Sequence, residues 1–168
     1  MIVVLGDTHL PRFGRSLPRV LVDALGDADL ALHVGDVTDA FVLELIEHHA
    51  PVLAVAGNND SVELGRRLPI TRVASVDGVR IGMTHGHVGP GRTTPDRAMR
   101  AFASVDPPID GLAFGHSHQP IVERRDGIWL LNPGSPTDRR REPTFSFIRL
   151  TLEGGSLQPD LVRFASGS

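Results

Sequence analysis

Five short polar segments of the sequence hold side chains that bind divalent metal ions. Carboxylates, imidazoles and a carboxamide recur in them, and each lies at the end of a short apolar run: Asp7-Thr8-His9, Gly35-Asp36, Gly57-Asn58-Asn59-Asp60, His85-Gly86-His87 and Gly115-His116-Ser117-His118. Hard oxygen ligands mixed with imidazole nitrogens suit ions of intermediate softness, such as manganese, iron, zinc or nickel. Two such ions, about 3.5–4 Å apart, can bind a hydroxide between them and stabilise both the attacking and the leaving oxygen of an in-line displacement at phosphorus.

Each segment taken singly also has an ordinary structural interpretation. A Gly-Asp pair after a strand is usually a turn, and Gly57–Asp60 alone fits a loop. The most specific segment is Gly115–His118, because two histidines two residues apart point the same way in an extended chain. Five such segments in one order, each after an apolar run, favour a shared metal site.

The first third of the chain alternates between apolar runs and helical patterns. Runs at Ile2–Leu5, Leu30–Val34 and Val52–Ala56 flank helical spacing at Leu17–Leu25 and Asp39–Ala50, with Asp39 as the N-cap. This β-α-β-α-β order is typical of a parallel sheet with crossover helices. In such sheets function lies beyond the carboxyl ends of the strands, which is where the polar segments lie.

The rest of the chain changes to hairpins. Asp-Gly and Glu-Gly-Gly turns separate three pairs of predicted strands: Arg72–Val76 with Val79–Met83, Ile121–Arg125 with Ile128–Leu131, and Phe145–Leu152 with Leu157–Phe164. A helix at about Pro95–Ser104 and a short strand at Gly111–Phe114 lie between the first two pairs, and from Ile121 on the chain looks antiparallel. We therefore expect an α/β fold with two facing sheets of mixed parallel and antiparallel strands. Helices cover their outer faces in an αββα sandwich, and residues 1–168 form one domain.

The composition excludes several classes of protein. The sequence has no cysteine, which rules out disulfides, thiolate ligands and a cysteine nucleophile, and its 17 basic residues are all arginine. No apolar run approaches the length of a membrane span and no basic leader precedes the first strand, so we expect no membrane segment, no secretory signal and a cytoplasmic location. A net charge of -3 argues against duplex nucleic acid as a partner. The sequence does not indicate an oligomeric state.

These motifs together resemble the calcineurin-like metallophosphoesterases, and in particular their small single-domain phosphodiesterase branch. The resemblance extends from the first strand to Ser135 and implies a metal-bridging hydroxide that attacks phosphorus. It implies that one metal is held by Asp7, His9 and His118, that Asp36 bridges, and that the other is held by Asn58, His85 and His116. Asn132-Pro133-Gly134-Ser135 matches a further family motif, interpreted as a supporting turn. The implied cofactors are two divalent ions, Mn2+ first, with Ni2+, Fe2+, Zn2+ or Mg2+ as alternatives.

The sequence departs from many members of this family at one position. Asn59 stands where many members have a histidine that steadies the transition state or protonates the leaving group. A carboxamide donates a hydrogen bond but does not usefully transfer a proton, so we expect a small phosphodiester or nucleotide-like substrate, or an activated ester. His87 is a candidate substitute acid, and a supporting hydrogen-bonding role is the favoured alternative.

Other functions remain alternatives at this point. The retromer subunit of this fold is a scaffold without catalysis and lacks a ligand histidine, whereas this chain keeps all seven ligand positions. A phosphomonoesterase would need a proton donor in place of Asn59, and nuclease relatives carry additional DNA-gripping domains. Among the remaining residues, we expect His33 to support the site by a hydrogen bond and Arg139–Arg141 to be a solvated loop. We also expect Phe13, with Arg12 and Arg15, to cap the site and stack a nucleobase.

Overall fold

The computed structural model describes residues 1–165, which contain ten strands and four helices. Their bounds, in chain order, are β1 (Ile2–Leu5), α1 (Arg19–Gly26), β2 (Leu30–His33), α2 (Ala40–Glu47), β3 (Val52–Ala54), α3 (Val62–Arg67), β4 (Thr71–Val76), β5 (Val79–Thr84), α4 (Thr94–Ala101), β6 (Gly111–Phe114), β7 (Ile121–Arg125), β8 (Ile128–Asn132), β9 (Phe145–Glu153) and β10 (Ser156–Phe164). They form two five-stranded mixed sheets, which confirms the predicted fold class.

The first sheet has the strand order β10-β9-β1-β2-β3. Strands β1, β2 and β3 are parallel, and β9 pairs antiparallel with β1. Alternate residues such as Val3 and Leu5 turn outward and pack with Leu21 of α1 and Ile46 of α2. The two helices therefore cover the outer face, and the carboxyl ends of the three parallel strands meet at one edge.

The second sheet has the order β4-β5-β6-β8-β7, with α4 on its outer face. The β4–β5 hairpin turns at Asp77 and Gly78, whose φ values of 49° and 81° are the left-handed pair that a two-residue turn requires. Strands β5, β6 and β8 are parallel to one another. The expectation that the chain is antiparallel from Ile121 on is therefore wrong for β8, because the connection through β7 returns it parallel to β6.

The main apolar core lies between the two sheets. Inward side chains of the first sheet, such as Val4 and Leu32, pack with Ile81, Met83 and Leu131 of the second. All five are completely buried. This layer fixes the two sheets face to face, so that the ends of β1, β2 and β3 lie opposite the ends of β5 and β6.

The helices match the sequence patterns except in one place. Asp39 caps α2 by accepting a hydrogen bond from the Phe41 amide, as predicted. Helix α3 was not predicted, because it has six residues, a glycine in its interior and the exposed Val62 at its start. Within residues 1–165 no helix is long and apolar enough to cross a membrane.

Candidate metal centre

The strand ends bring all seven predicted ligands to one edge of the sandwich. The segments after β1, β2 and β3 supply ligands from the first sheet, and those after β5 and β6 supply ligands from the second. The seven residues fall into two groups with one residue between them: Asp7, His9 and His118; Asn58, His85 and His116; and Asp36.

The first group, which we call the buried half, consists of Asp7, His9 and His118. The Nε2 atoms of His9 and His118 lie 3.2 Å apart, and their rings stack with centroids 5.1 Å apart. Asp7 Oδ1 lies 3.2 Å from His118 Nε2 and 3.9 Å from His9 Nε2. None of the three residues is more than 7% exposed. Three ligand atoms therefore converge on one position inside the protein.

The second group, which we call the open half, consists of Asn58, His85 and His116. Asn58 Oδ1 lies 3.1 Å from His85 Nε2 and 3.0 Å from His116 Nδ1. His85 is completely buried, but His116 is partly exposed and Asn58 is exposed. The open half therefore combines one fixed interior ligand with two that solvent reaches.

Asp36 lies between the two halves and contacts both. Its Oδ2 atom is 3.5 Å from His9 Nε2, and its Oδ1 atom is 3.3 Å from His85 Nε2. The side chain is 1% exposed. One carboxylate thus presents an oxygen to each half.

The ring protons of two histidines can be located from their partners. His118 Nδ1 lies 2.5 Å from the Asp138 carbonyl oxygen, and His85 Nδ1 lies 2.9 Å from that of Val34. A carbonyl oxygen only accepts, so each Nδ1 carries the proton and donates it. In the neutral rings the Nε2 lone pairs therefore face the site, which is the orientation that metal-ligating histidines take.

Asp7 supplies a direct test of whether a metal fits. Its Oδ1 atom is buried and has no hydrogen-bond partner among residues 1–165, and the Nε2 atoms of His118 and His9 lie 3.2 and 3.9 Å from it. Buried acceptors facing one another are costly unless a cation lies among them. The donor set of carboxylate, imidazole and carboxamide therefore fits divalent ions of intermediate softness.

Burial and the two buried carboxylates act in opposite directions on the pKa values of the four histidines in the site. Burial lowers the pKa of His9 and His116. Burial acts in the same direction on His85 and His118, but the neighbouring Asp36 and Asp7 carboxylates outweigh it and raise the pKa of these imidazoles. Although burial opposes ionisation of Asp36, hydrogen bonds from its neighbours hold the pKa of that carboxyl far below its usual range.

Unusual backbone conformations concentrate at the same edge. Nine non-glycine residues among residues 1–165 have positive φ, and six of them belong to or adjoin the site: Asp7, His9, Asp36, Thr38, His116 and His118. A left-handed conformation costs a residue with a Cβ about 1–3 kcal/mol, and such conformations cluster at functional sites. The chain therefore holds these side chains in place against its local preference.

The turn before Asn58 requires a glycine for close approach. A Cβ on Gly57 would lie 2.1 Å from the Asp36 backbone nitrogen and 2.2 Å from its Oδ1 atom. No side chain fits that space. The Asp60 carboxylate fixes the same turn by accepting hydrogen bonds from the Gly57 and Thr38 amides at 2.6 and 2.7 Å. Asp60 stands in the sequence motif, but nothing in the motif assigned it this role.

The segment that follows β8 braces the buried half. The Ser135 hydroxyl donates to the Asp7 carbonyl oxygen at 2.7 Å and accepts from the Asp138 amide at 2.8 Å. Asn132 Nδ2 donates to the Gly115 carbonyl oxygen at 3.0 Å. The Asn-Pro-Gly-Ser motif therefore lies against the backbone of two ligand segments. Asp138, whose carbonyl orients His118, was missed, because no sequence pattern marks a carbonyl acceptor three residues beyond a turn.

One geometric expectation about the histidine pair is wrong. His116 and His118 are not in extended chain, because their φ values are 70° and 58°. Their rings diverge instead of pointing the same way. His118 stacks on His9, and His116 lies edge-on to His85 with centroids 5.2 Å apart. The segment thus serves both halves of the site.

The two residues considered for catalysis lie beside the ligands. Asn59 is exposed and contacts both oxygens of Asp36, with its backbone nitrogen 2.8 Å from Oδ1 and its Nδ2 atom 2.6 Å from Oδ2. The half-buried His87 ring lies 5.2 Å from that of His85 and 6.3 Å from that of His116. Its Nδ1 atom is buried and has no hydrogen-bond partner among residues 1–165.

The remaining predicted side chains divide between support and solvent. His33 is completely buried, and its Nε2 atom lies 3.2 Å from the Thr8 hydroxyl, so it supports the segment between Asp7 and His9 as expected. Arg139, Arg140 and Arg141 are exposed. Arg139 lies over the Phe145 ring, 5.8 Å from its centroid, instead of facing the ligands.

Comparison with known proteins agrees with this geometry. The profile of the calcineurin-like phosphoesterase superfamily domain matches residues 1–155. A probable metallophosphoesterase of Methanothermobacter thermautotrophicus is 34% identical over 164 residues, covering 97% of this chain and 92% of the relative. A phosphodiesterase of Methanocaldococcus jannaschii is 23% identical over 147 residues, covering 79% of this chain and 82% of the relative.

A solved structure shares the whole architecture. Wild-type Vps29 of Entamoeba histolytica, crystallised as a complex with zinc, superposes with a TM-score of 0.73 at 26% identity, covering 96% of this chain and 98% of that one. The family profile and the first of these relatives each cover nearly the whole chain. The chain therefore belongs to the calcineurin-like phosphoesterase superfamily.

Proposed function

We propose that the protein is a binuclear metal-dependent phosphodiesterase that acts on small phosphate diesters. The observation that carries this proposal is the convergence of carboxylate, imidazole and carboxamide groups from two sets of residues on either side of Asp36. Membership of a phosphoesterase superfamily and likeness to a named phosphodiesterase support hydrolysis at phosphorus. The fold alone would not, because one fold hosts many functions.

The ligand set supports two divalent ions. The buried half would hold one, the open half would hold the other, and Asp36 would bind both. Bound ions would activate water as the nucleophile and neutralise charge on the phosphate. Four imidazoles favour manganese, nickel, iron or zinc over magnesium, and Mn2+ is our first choice. The Vps29 neighbour was crystallised with zinc, which supports the binding of a divalent ion by this fold.

Asn59 supports the preference for diesters. Its carboxamide is held against Asp36 and has no acidic proton to give a departing alkoxide. Esters whose leaving group is stable without protonation depend less on a general acid. A diester with a good leaving group is therefore the substrate that this side chain suits best.

His87 has a supporting role in this account. Burial and the adjacent His85 lower the pKa of its imidazole, so the ring is neutral near pH 7 and is a weak proton donor. Its position beside the His85 and His116 rings suits a hydrogen bond to substrate or solvent at the edge of the open half.

The proposal is tested by removing and restoring the metal. The protein is stripped with a chelator and reloaded separately with Mn2+, Ni2+, Zn2+ or Mg2+, and hydrolysis of bis-p-nitrophenyl phosphate is compared with that of p-nitrophenyl phosphate. We expect activity to be lost on stripping, restored by Mn2+, and greater toward the diester. Faster cleavage of the monoester would instead identify a phosphomonoesterase in which another group supplies the proton.

A protein-interaction scaffold is the second candidate function. The observation that favours it is the likeness to Vps29, named as a protein sorting component, over nearly the full length of both chains. Tight metal binding without hydrolysis of either ester, whichever ion is restored, would favour this candidate over the enzyme.

A further inference from the structure

An exposed aromatic ring stands next to the buried half. Phe13 is 44% exposed and is the one aromatic residue among the exposed large apolar side chains of residues 1–165. Its ring meets that of His9 edge to face, with centroids 6.4 Å apart and planes at 82°. An exposed aromatic ring beside a ligand histidine can stack on the planar group of a bound molecule.

A cleft lies beside Phe13, between its neighbours Leu10, Pro11 and Arg12 and the metal centre, and Phe13 itself stands outside the lining of the cleft. It has a volume of about 420 Å³, which is the size that holds a small organic group. Leu10 and Pro11 form its apolar part. His9, which belongs to the buried half, and Asn59 also line the cleft. Because Asn59 donates to Asp36, a molecule in this cleft lies one side chain away from the bridging carboxylate.

The cleft carries a cation of its own. The Arg12 guanidinium lies over the Phe13 ring, 5.2 Å from its centroid, and Arg12 also lines the cleft. It makes no ion pair with any of residues 1–165. A free guanidinium is well suited to bind a phosphate oxygen.

We propose that the loop from Leu10 to Arg15 is a specificity subsite for phosphate esters that carry a planar aromatic group, such as a nucleobase. The Phe13 ring stacks on the planar group, and Arg12 binds the phosphate as it enters the centre. This subsite rests on the proposed function, because it assumes that the adjoining centre binds phosphate esters.

The test compares two ligands that differ only by the base. Adenosine 5′-monophosphate and ribose 5-phosphate are titrated separately into the Mn2+-loaded protein, and their affinities are measured by calorimetry. Because stacking of one base on an aromatic side chain stabilises the complex, we expect the wild-type protein to bind the nucleotide about tenfold more tightly than the sugar phosphate.

The variants separate the two parts of the subsite. Phe13→Ala removes that advantage and Phe13→Trp keeps it, whereas Arg12→Ala weakens the binding of both ligands by a similar factor. Ile70→Ala is the matched control, because Ile70 is a large apolar side chain of similar exposure, 43%, that lies outside the Leu10–Arg15 loop, and this change leaves the ratio unchanged.

Two results overturn the subsite, and they are distinct from failure of the proposed function. Equal affinities in the wild-type protein, or a ratio that survives Phe13→Ala, would overturn the subsite while metal-dependent diester hydrolysis persisted. Binding of neither phosphate ester, together with no hydrolysis of bis-p-nitrophenyl phosphate, would overturn the proposed function and the subsite together.

Discussion

The two halves of the site differ in burial and in charge. The buried half has its own carboxylate, Asp7, and no member more than 7% exposed, whereas the open half has two neutral members that solvent reaches. Attraction between a cation and a carboxylate strengthens as the surroundings become less polar. The two halves are therefore unequal sets of ligands. We expect tighter metal binding in the buried half and easier access for substrate in the open half.

The halves also differ in how the chain supports them. The segment from Asn132 to Asp138 holds the buried half through Asp7 and His118. The open half depends on the Gly57–Asp60 turn and on the Val34 carbonyl, which orients His85. Asp36 presents one oxygen to His9 of the buried half and the other to His85 of the open half, so we expect a change there to affect both metal positions.

The largest effect is expected for Asp36→Asn. This change removes the anion between the halves while keeping the shape of the side chain, so both metal positions weaken. We expect turnover of bis-p-nitrophenyl phosphate to fall more than about 100-fold, beyond the usual cost of altering a residue that only supports a ligand. Asp160→Asn, an exposed change on β10, is the matched control and leaves turnover unchanged. Activity of Asp36→Asn within a few-fold of wild type would contradict the bridging role.

Two substitutions, one in each half, test whether the halves bind metal separately. His118→Ala removes a ligand from the buried half, and His116→Ala removes one from the open half of the site. We expect His118→Ala to abolish the tighter of two Mn2+ binding steps and His116→Ala to abolish the weaker one, measured by calorimetric titration of stripped protein. Loss of the same step in both variants would show that the halves are not separate sites.

A pH effect is expected from His33, which supports the segment between Asp7 and His9. Burial lowers the pKa of its imidazole from 6.5 to about 4, so the unfolded chain takes up the proton first as pH falls. The stability that neutral His33 contributes is therefore complete above about pH 6.5 and is lost progressively down to about pH 4, amounting to about 3 kcal/mol.

Urea unfolding of metal-free protein at several pH values checks this expectation. The free energy of unfolding of His33→Gln should change less between pH 6.5 and 4 than that of wild type. Parallel curves for the two proteins would show that His33 does not titrate in this way.

The smallest effect is expected for Asn59. Asn59→Ala removes one hydrogen bond to Asp36 and leaves the ligand set intact, so turnover of the diester should fall only several-fold. Asn59→His restores the proton donor common in the family and should raise the rate on p-nitrophenyl phosphate relative to the diester. The ratio of the two rates is the measurement, and an unchanged ratio in Asn59→His would contradict the role assigned to this position.

The sequence was sufficient to predict the sheets and to name the residues that converge. Short apolar runs such as Ile2–Leu5 are buried on both faces, and Asp-Gly turns fix hairpins locally, so both leave a pattern. The geometry of the ligands could not be predicted, because histidine does not by itself favour the left-handed φ that His116 and His118 adopt. The Asp138 carbonyl and the parallel pairing of β8 with β6 likewise depend on parts of the chain far apart in sequence.

We propose that each half of the site holds one ion and that both ions bind Asp36. The most direct test is titration of stripped wild-type protein with Mn2+, followed by electron paramagnetic resonance and by turnover of bis-p-nitrophenyl phosphate on the same samples. We expect two ions per chain bound in two steps, a spectrum of two coupled ions, and activity that rises with the second step. Full activity with one ion per chain, and no coupled spectrum at saturation, would contradict it.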